Sequence, residues 1–434
     1  MTQPLGTIDL SDNDINIRQN IYNKLKILFK KCGASELDTP VFELYDAVDK
    51  LYGDEFTKSV FTIKDGKQEL FLRYDLTVPL ARHVGMNGLT KFKRFQYGKV
   101  YRKDDPQIQK CRFREFHQMD YDIIGDDQQS GINDIEIIGT LINALSLFDQ
   151  FIIKINYKNI VIKMLQKCNI PESDYQKVFS AIDKLDKKSW NDVKIELFEK
   201  QIDETSIQTL ENYYELFCNS DDIYNVLNNN DFLDDIVQKQ LKNLMMFISN
   251  IKYNHIIIID PFLIRGMDYY TGILFEVTYV DKNIMPSTIA AGGRYDNMID
   301  NFSSKQHISA VGMSIGIDRL VKIIEKKFVF DKNITPDIYI ATVGNDYIVE
   351  KMSLLYKLRE FGYYVITSEL PNQKMRAHFK VIFEDYSSII PIMIIIGENE
   401  VKNNTLTIKD IINKKEMCVS QSKLCEIIAT ILNF

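Results

Sequence analysis

Apolar residues at Ile17, Ile21, Leu25 and Leu28 recur at near-helical spacing, the signature of a helix with one covered face. Ser11 or Asp12 can cap its start, and Gly33 stands where a C-terminal cap is wanted, so the chain opens on a helix. Segments 69–73, 94–104, 112–124 and 273–280 alternate apolar and polar positions in steps of two and are rich in aromatic and β-branched residues. That pattern predicts one antiparallel sheet. Between 157 and 255 the chain changes to Lys, Asp, Asn and Leu at helical spacing around its single tryptophan, Trp190, which predicts a helical insertion. A helix follows Gly316, and 326–335 reads as a linker ending at Pro336. Beyond it come a strand (337–343), a helix (347–361), a strand (363–367) and an all-apolar run (391–396), together predicting a buried parallel or mixed α/β sheet. The expected organisation is a first domain of 1–156 with 256–328, an insertion at 157–255, and a last domain at 336–434.

Composition narrows the picture. With 434 residues, 45% of them hydrophobic, the chain can build two or three cores. It has no run of 18 apolar residues and no basic-then-apolar start, so a soluble, cytoplasmic protein without membrane contact is expected. Its six cysteines are scattered, with no Cys-x-x-Cys pair and no clustered histidines, and neither a zinc site nor a disulfide framework is expected. A net charge of −7 would ordinarily argue against a nucleic-acid partner, yet stretch 91–114 carries nine Lys or Arg against two Asp. Charge placed so unevenly can meet phosphates.

Period two puts Arg112, Arg114, Phe116, Gln118, Asp120 and Asp122 on one strand face, nearly all of it hydrogen-bonding. An isolated polar face is most often merely solvated. Here the loop 103–110 turns the flanking strands into a hairpin, so Arg102 and Arg114 can converge on one anion. Guanidinium suits phosphate because its planar fork binds two oxygens and keeps its charge. In IRGMDYYTG (264–272), Arg265 is either a surface turn residue or a ligand clamp between two glycines. GGRYD (292–296) reads as a tight Gly-Gly turn, and SIGIDRL (314–320) puts Arg319 in the first turn of a helix, as a surface ion pair or a ligand group.

Taken in order, these segments resemble the eukaryotic-type histidyl-tRNA synthetases, a family of class II aminoacyl-tRNA synthetases. TPVFE (39–43) is similar to motif 1, with Pro40 as its proline, and LRYDLTVPLAR (72–82) follows. YGKVYRKDDPQIQKCRFREFHQMDYDIIG (97–125) is similar to motif 2, the segments at 264 and 292 to the histidine-specific motifs, and 312–320 to motif 3. AIDKLDKKSW (181–190) resembles the insertion of eukaryotic members, and IIIGENEV (394–401) with TLTIKDI (405–411) resembles the anticodon-binding domain. An ordered set of this kind covers nearly the whole chain. The implied fold is α+β: a class II antiparallel sheet flanked by helices, a helical insertion, and a C-terminal α/β anticodon-binding domain.

The resemblance implies an enzyme that activates L-histidine with ATP, Mg²⁺ arriving with the nucleotide, and transfers it to the 3′ end of tRNA(His). Arg102 would hold the α-phosphate, and Arg265 would reach the same phosphate and the amino-acid carboxylate in place of a metal ion. Arg114 and Arg319 would hold the remaining phosphates and the adenine side. Asp122 and Tyr270 would take the imidazole; Asp75, Thr77 and Gln118 the α-ammonium; Tyr269 and the Gly292-Gly293 turn would line the pocket. Lys103, Lys110 and Arg112 would guide the tRNA end. Motif 1 implies a homodimer, and the chain is expected to do without an N-terminal helical tRNA-binding extension. Two rivals stand beside this reading. One is a non-catalytic relative serving as a regulatory or tRNA-sensing protein, since fold does not fix function. The other is an RNA clamp built on the basic hairpin, which has no use for a histidine-shaped pocket.

Overall fold

The computed structural model describes residues 2–45, 59–125, 130–267, 269–302, 307–327, 335–345, 347–368, 374–386 and 388–432. Most of the expected linker at 326–335 lies outside them. The chain forms two compact units, Met1–Asp9 with Asp14–Lys327, and Leu10–Asn13 with Phe328–Phe434.

The opening helix is present as Asp12–Lys31, with Ile17, Ile21, Leu25 and Phe29 buried. Its end is a left-handed Gly33 (φ 81°) whose N–H returns to the Lys30 carbonyl while Ala34 N–H returns to Phe29, so last-turn carbonyls are satisfied. The helix packs on the sheet through Phe29, whose ring lies 5.9 Å from Phe95 and 5.0 Å from Tyr121.

That sheet has eight strands. In chain order they are β1 (Ser35–Glu36), β5 (Phe92–Tyr101), β6 (Glu115–Ile124), β7 (Phe151–Tyr157), β8 (Ile256–Ile259), β9 (Ile273–Tyr279), β10 (Thr288–Arg294) and β11 (Ala310–Gly316). Across the sheet the order is β1-β5-β6-β11-β10-β9-β7-β8. The six central strands pair antiparallel, and β1 and β8 add a parallel strand at each edge. Segment 69–73, expected in this sheet, instead supplies β4 (Gln68–Leu72), the middle of a separate three-stranded sheet with β2 (Phe42–Leu44) and β3 (Thr62–Asp65). Alternation identifies a strand but not its partner. The buried Arg73 ties the two layers together by donating to the carbonyls of Lys99 and Thr39.

Two further expectations are corrected. Strand β6 begins at Glu115 rather than at 112, because the hairpin loop has structure of its own: Arg102 N–H bonds the Arg114 carbonyl, a 3₁₀ turn spans Ile108–Lys110, and Cys111 is left-handed at φ 50°. Gly292 and Gly293 are not a turn but lie inside β10. A Cβ on Gly292 would collide with the Gly312 carbonyl and the Phe275 ring, and one on Gly293 would sit 2.8 Å from the Tyr270 ring. The pair is selected for close approach, and alternation cannot distinguish that from turn chemistry.

The segment expected to be helical is so, from Lys158–Lys167 to Asp235–Asn250. Ser189 caps the helix Trp190–Glu199 through a reciprocal bond with Asp192, and Trp190 stacks on Tyr214 at 4.6 Å. In the second unit, β12 (Ile338–Thr342) pairs parallel with β13 (Val365–Thr367) and β14 (Ile392–Ile396). β15 (Thr405–Asp410) and β16 (Lys415–Ser420) complete the sheet antiparallel. It is the mixed α/β sheet the apolar runs predict. Among the described residues no helix is long and apolar enough to cross a membrane.

Candidate active site

Hydrogen-bonded rows across the central strands build one face of a cavity of about 1400 Å³. Opposed residues in an antiparallel pair share a face. Arg94 on β5 therefore lies beside Asp122 on β6, Asp122 beside Gly312 on β11, and Gly312 beside Gly293 on β10. The neighbouring row runs Gln96, Asp120, Ser314, Ala291. On β6 the polar residues Gln118, Asp120 and Asp122 face the cavity, while the other parity, represented by Tyr121, packs against the opening helix.

Glycine keeps the floor open. A Cβ at Gly312 would overlap the Asp122 carboxylate, and the Tyr270 ring rests on Gly293. Asp122 and Tyr270 thus flank a strip of bare backbone. Asp122 is 2% exposed; it pairs with Arg94 at 2.8 Å and accepts the Tyr295 hydroxyl at 2.5 Å. Burial pushes both carboxyls up, Asp120 to about 7, and Arg94 opposes the shift in each. The Tyr270 phenol is held well above its ordinary value by burial, by Tyr269 and by Asp120 and Asp122, so it remains an O–H donor. Gln118 Oε1 and Glu276 Oε2 are buried with no hydrogen-bond partner among the described residues, as expected where a polar ligand completes the site.

The opposite chemistry appears elsewhere along the same wall. Arg102 lies 4.2 Å from the Tyr74 ring centroid and 5.2 Å from that of Phe116, and its Nε donates to the Tyr74 carbonyl. No carboxylate pairs with it among the described residues. Arg319, on the first turn of the helix Ile317–Lys327, donates to the Thr288 carbonyl; burial first, then the charge of Arg102, lowers its pKa. Arg265 pairs with Glu276 at 3.3 Å, Asp183 at 3.1 Å and Asp186 at 3.0 Å. Asp75 and Thr77 stand at the start of the helix Thr77–Asn87, where Asp75 accepts the N–H groups of Thr77 and Val78 at 3.0 and 2.9 Å.

The cavity therefore brings together Arg102, Arg265, Arg319, Asp75, Thr77, Gln118, Asp122, Tyr269 and Tyr270 of the residues singled out from sequence. Four others stand outside its lining. Arg114 donates to the Asp104 carbonyl, Arg112 pairs with Asp104 at 2.9 Å, Lys103 stands over the Phe61 ring, and Lys110 is exposed in the loop. Sequence reasoning missed Arg94, Tyr295 and Glu276. For Arg94 a signal existed: the register that sets Arg102 opposite Arg114 sets Arg94, eight residues earlier, opposite Asp122, eight residues later.

Comparison with known proteins agrees with this geometry. The family model described as Histidyl-tRNA synthetase matches residues 6–320, and that of an Anticodon binding domain matches 337–431. The cytoplasmic histidine–tRNA ligase of Dictyostelium discoideum is 33% identical over 99% of this chain and 91% of its own length. The mitochondrial histidine–tRNA ligase of Mus musculus is 31% identical over 97% of this chain and 86% of its own. Among solved structures, histidyl-tRNA synthetase from Nostoc sp. PCC 7120 shares the fold with a TM-score of 0.73 at 21% identity, covering 99% of each chain. With one family model spanning 6–320 and relatives above 30% identity along nearly the whole chain, the conclusion is plain: the chain belongs to the histidyl-tRNA synthetase family.

Proposed function

We propose that this cavity joins L-histidine to ATP and passes the activated amino acid to the 3′ end of tRNA(His), making the chain a histidine–tRNA ligase. The observation that carries the reading is one cavity holding Arg102, Arg265 and Arg319 together with the Asp122–Tyr270 pair. A non-catalytic regulator would have no need of both sets.

In the first step a histidine carboxylate oxygen attacks the α-phosphorus, the bond to the β-phosphate bridging oxygen breaks, and pyrophosphate leaves with the electron pair. Negative charge grows on the phosphoryl oxygens, and fixed cations stabilise it most where water is excluded. Arg102 is prepared for this: two rings and a carbonyl hold its plane, and among the described residues no carboxylate neutralises it. Arg265 takes the α-phosphate and the amino-acid carboxylate, and Arg319 the nucleotide beyond. Arg114 can join the terminal phosphates once its bond to the Asp104 carbonyl opens. Asp122 accepts one imidazole N–H while Tyr270 donates to the other ring nitrogen, a pairing that rejects side chains lacking both groups. Asp75, Thr77 and Gln118 receive the α-ammonium, and Tyr269 closes the pocket. Mg²⁺ bound with ATP would shield the departing pyrophosphate; the buried, unpartnered Glu276 Oε2 fits the hard oxygen donors that ion prefers. In the second step a ribose hydroxyl of the tRNA attacks the histidyl carbonyl and AMP leaves. Lys103, Lys110 and Arg112 on the hairpin loop guide the tRNA end in this reading.

We assign the chain to a cytoplasmic homodimer. Phe42 of motif 1 and Leu44 just after it are 52% and 50% exposed, apolar surface of the kind a second copy covers. A monomeric mass in solution, or cell fractionation finding the protein in an organelle, would remove the respective assignment. The activity itself is tested by histidine-dependent exchange of labelled pyrophosphate into ATP. Absence of exchange from folded protein would overturn the reading in favour of a regulatory relative.

A further inference from the structure

Arg265 reaches the cavity from the loop before β9, yet two of its three carboxylate partners come from a distant part of the chain. Asp183 and Asp186 lie 82 and 79 residues away in sequence, on a 3₁₀ turn (Asp183–Asp186) that directly follows the insertion helix Tyr175–Ile182. The turn type matters. In a 3₁₀ turn, side chains at i and i+3 eclipse, so both carboxylates project to one side and grip separate arms of one guanidinium, Nη1 by Asp183 and Nη2 by Asp186. Nη2 is shared with Glu276 of the catalytic sheet. The turn is itself anchored: Lys154 on β7 pairs with Asp186 at 3.6 Å and with Asp260 at 2.8 Å. A second, smaller cavity of about 240 Å³ is lined by Asp183, Asp186, Lys154, Asp260 and Arg265. Arg265 lines both cavities and so stands between them.

We propose that Asp183 and Asp186 are positioning residues for the activation step, through which the helical insertion fixes the plane of the Arg265 guanidinium before substrates arrive. The idea rests on Arg265 meeting the α-phosphate and the histidine carboxylate. An arginine with 32% of its side chain exposed, left to itself, samples several rotamers, and ordering it at each turnover costs free energy. Two carboxylates on a pinned turn remove that cost. The insertion then becomes part of the chemical machinery without touching the reacting atoms.

The test is Asp183→Asn with Asp186→Asn, alone and combined, in the full chain. Both side chains are roughly 40% exposed or less, and asparagine keeps their shape, so folding is preserved. Adenylate formation is followed in single turnover and by pyrophosphate exchange. The expected result for the double variant is a fall in the maximal rate of about tenfold, with the KM for histidine within about twofold. Repeated in an Arg265→Lys background, the same pair produces no further fall, because its effect runs through the guanidinium. Asp186→Glu, which keeps the charge, recovers part of the loss. An unchanged or faster rate in the double variant overturns the proposal, as does an equal fall in the Arg265→Lys background. If Arg265→Lys alone retains full activity, the role given to Arg265 fails, and this inference falls with it.

Discussion

The two ends of the cavity solve the problem of buried charge differently. At the proposed phosphate end, Arg102 is held by ring faces and a carbonyl, and among the described residues no carboxylate spends its charge. At the proposed ring-binding end, Asp120 and Asp122 share one fully buried guanidinium, Arg94, which lies 2.8 Å from Asp122 and 4.0 Å from Asp120. The first arrangement suits a ligand that brings several negative charges of its own. The second suits a neutral ring: a carboxylate left bare at that depth would protonate, and one fully neutralised would accept nothing.

The largest way to break this contrast is Arg102→Ala. It should lower the maximal exchange rate about 10³-fold, in line with loss of one preorganised charge at a developing anion, while histidine binding by calorimetry is little changed. Asp122→Asn should do the reverse, raising the KM for histidine about 10²-fold with a smaller effect on the maximal rate. If both substitutions moved the same parameter, the two ends would not be separable. Tyr74→Leu probes how Arg102 is held. Loss of one cation–π contact of about 1 kcal/mol should raise the KM for ATP some fivefold, measured in the same exchange assay.

The smallest effect concerns Asp120 in the absence of ligand. Its folded pKa is raised to about 7 against an unfolded value of about 4, so between these the folded state binds the extra proton. Stability from this group is complete below pH ~4 and is lost as pH rises through about 7. Thermal melting of the ligand-free protein should therefore drop between about pH 4 and 7, and Asp120→Asn should flatten that slope by an amount on the order of 2 °C. An identical slope in the variant would show that Arg94 already holds the carboxylate ionised.

What was legible beforehand followed from local pattern. The opening helix, the hairpin, the parity of Gln118, Asp120 and Asp122, and the helix bearing Arg319 all come from spacing that short-range sterics enforce. What was not legible depended on partners far along the chain. The segment at 69–73 was a strand by alternation, but its sheet was set by Phe61 and Val41. Gly292-Gly293 looked like a turn because the signal for close packing, Gly312 and Tyr270 against them, lies on other strands. Arg265 was found, while its grip by Asp183 and Asp186 was hidden, since nothing in DKLD indicates which cation it will face. Arg94 is within reach of the hairpin register, but its charge alone does not name Asp122 as its partner.

The bare backbone between Asp122 and Tyr270 also bears on how such a protein can drift. A wall made of Gly293 and Gly312 has no atoms left to remove, so any replacement there intrudes and shrinks the space. More room for a bulkier amino acid has to come from the side-chain walls, and on the proposed reading a truncation at Asp122 or Tyr270 also forfeits a contact to a ring nitrogen. The glycine floor can thus only narrow the space, whereas widening it at these two walls costs recognition.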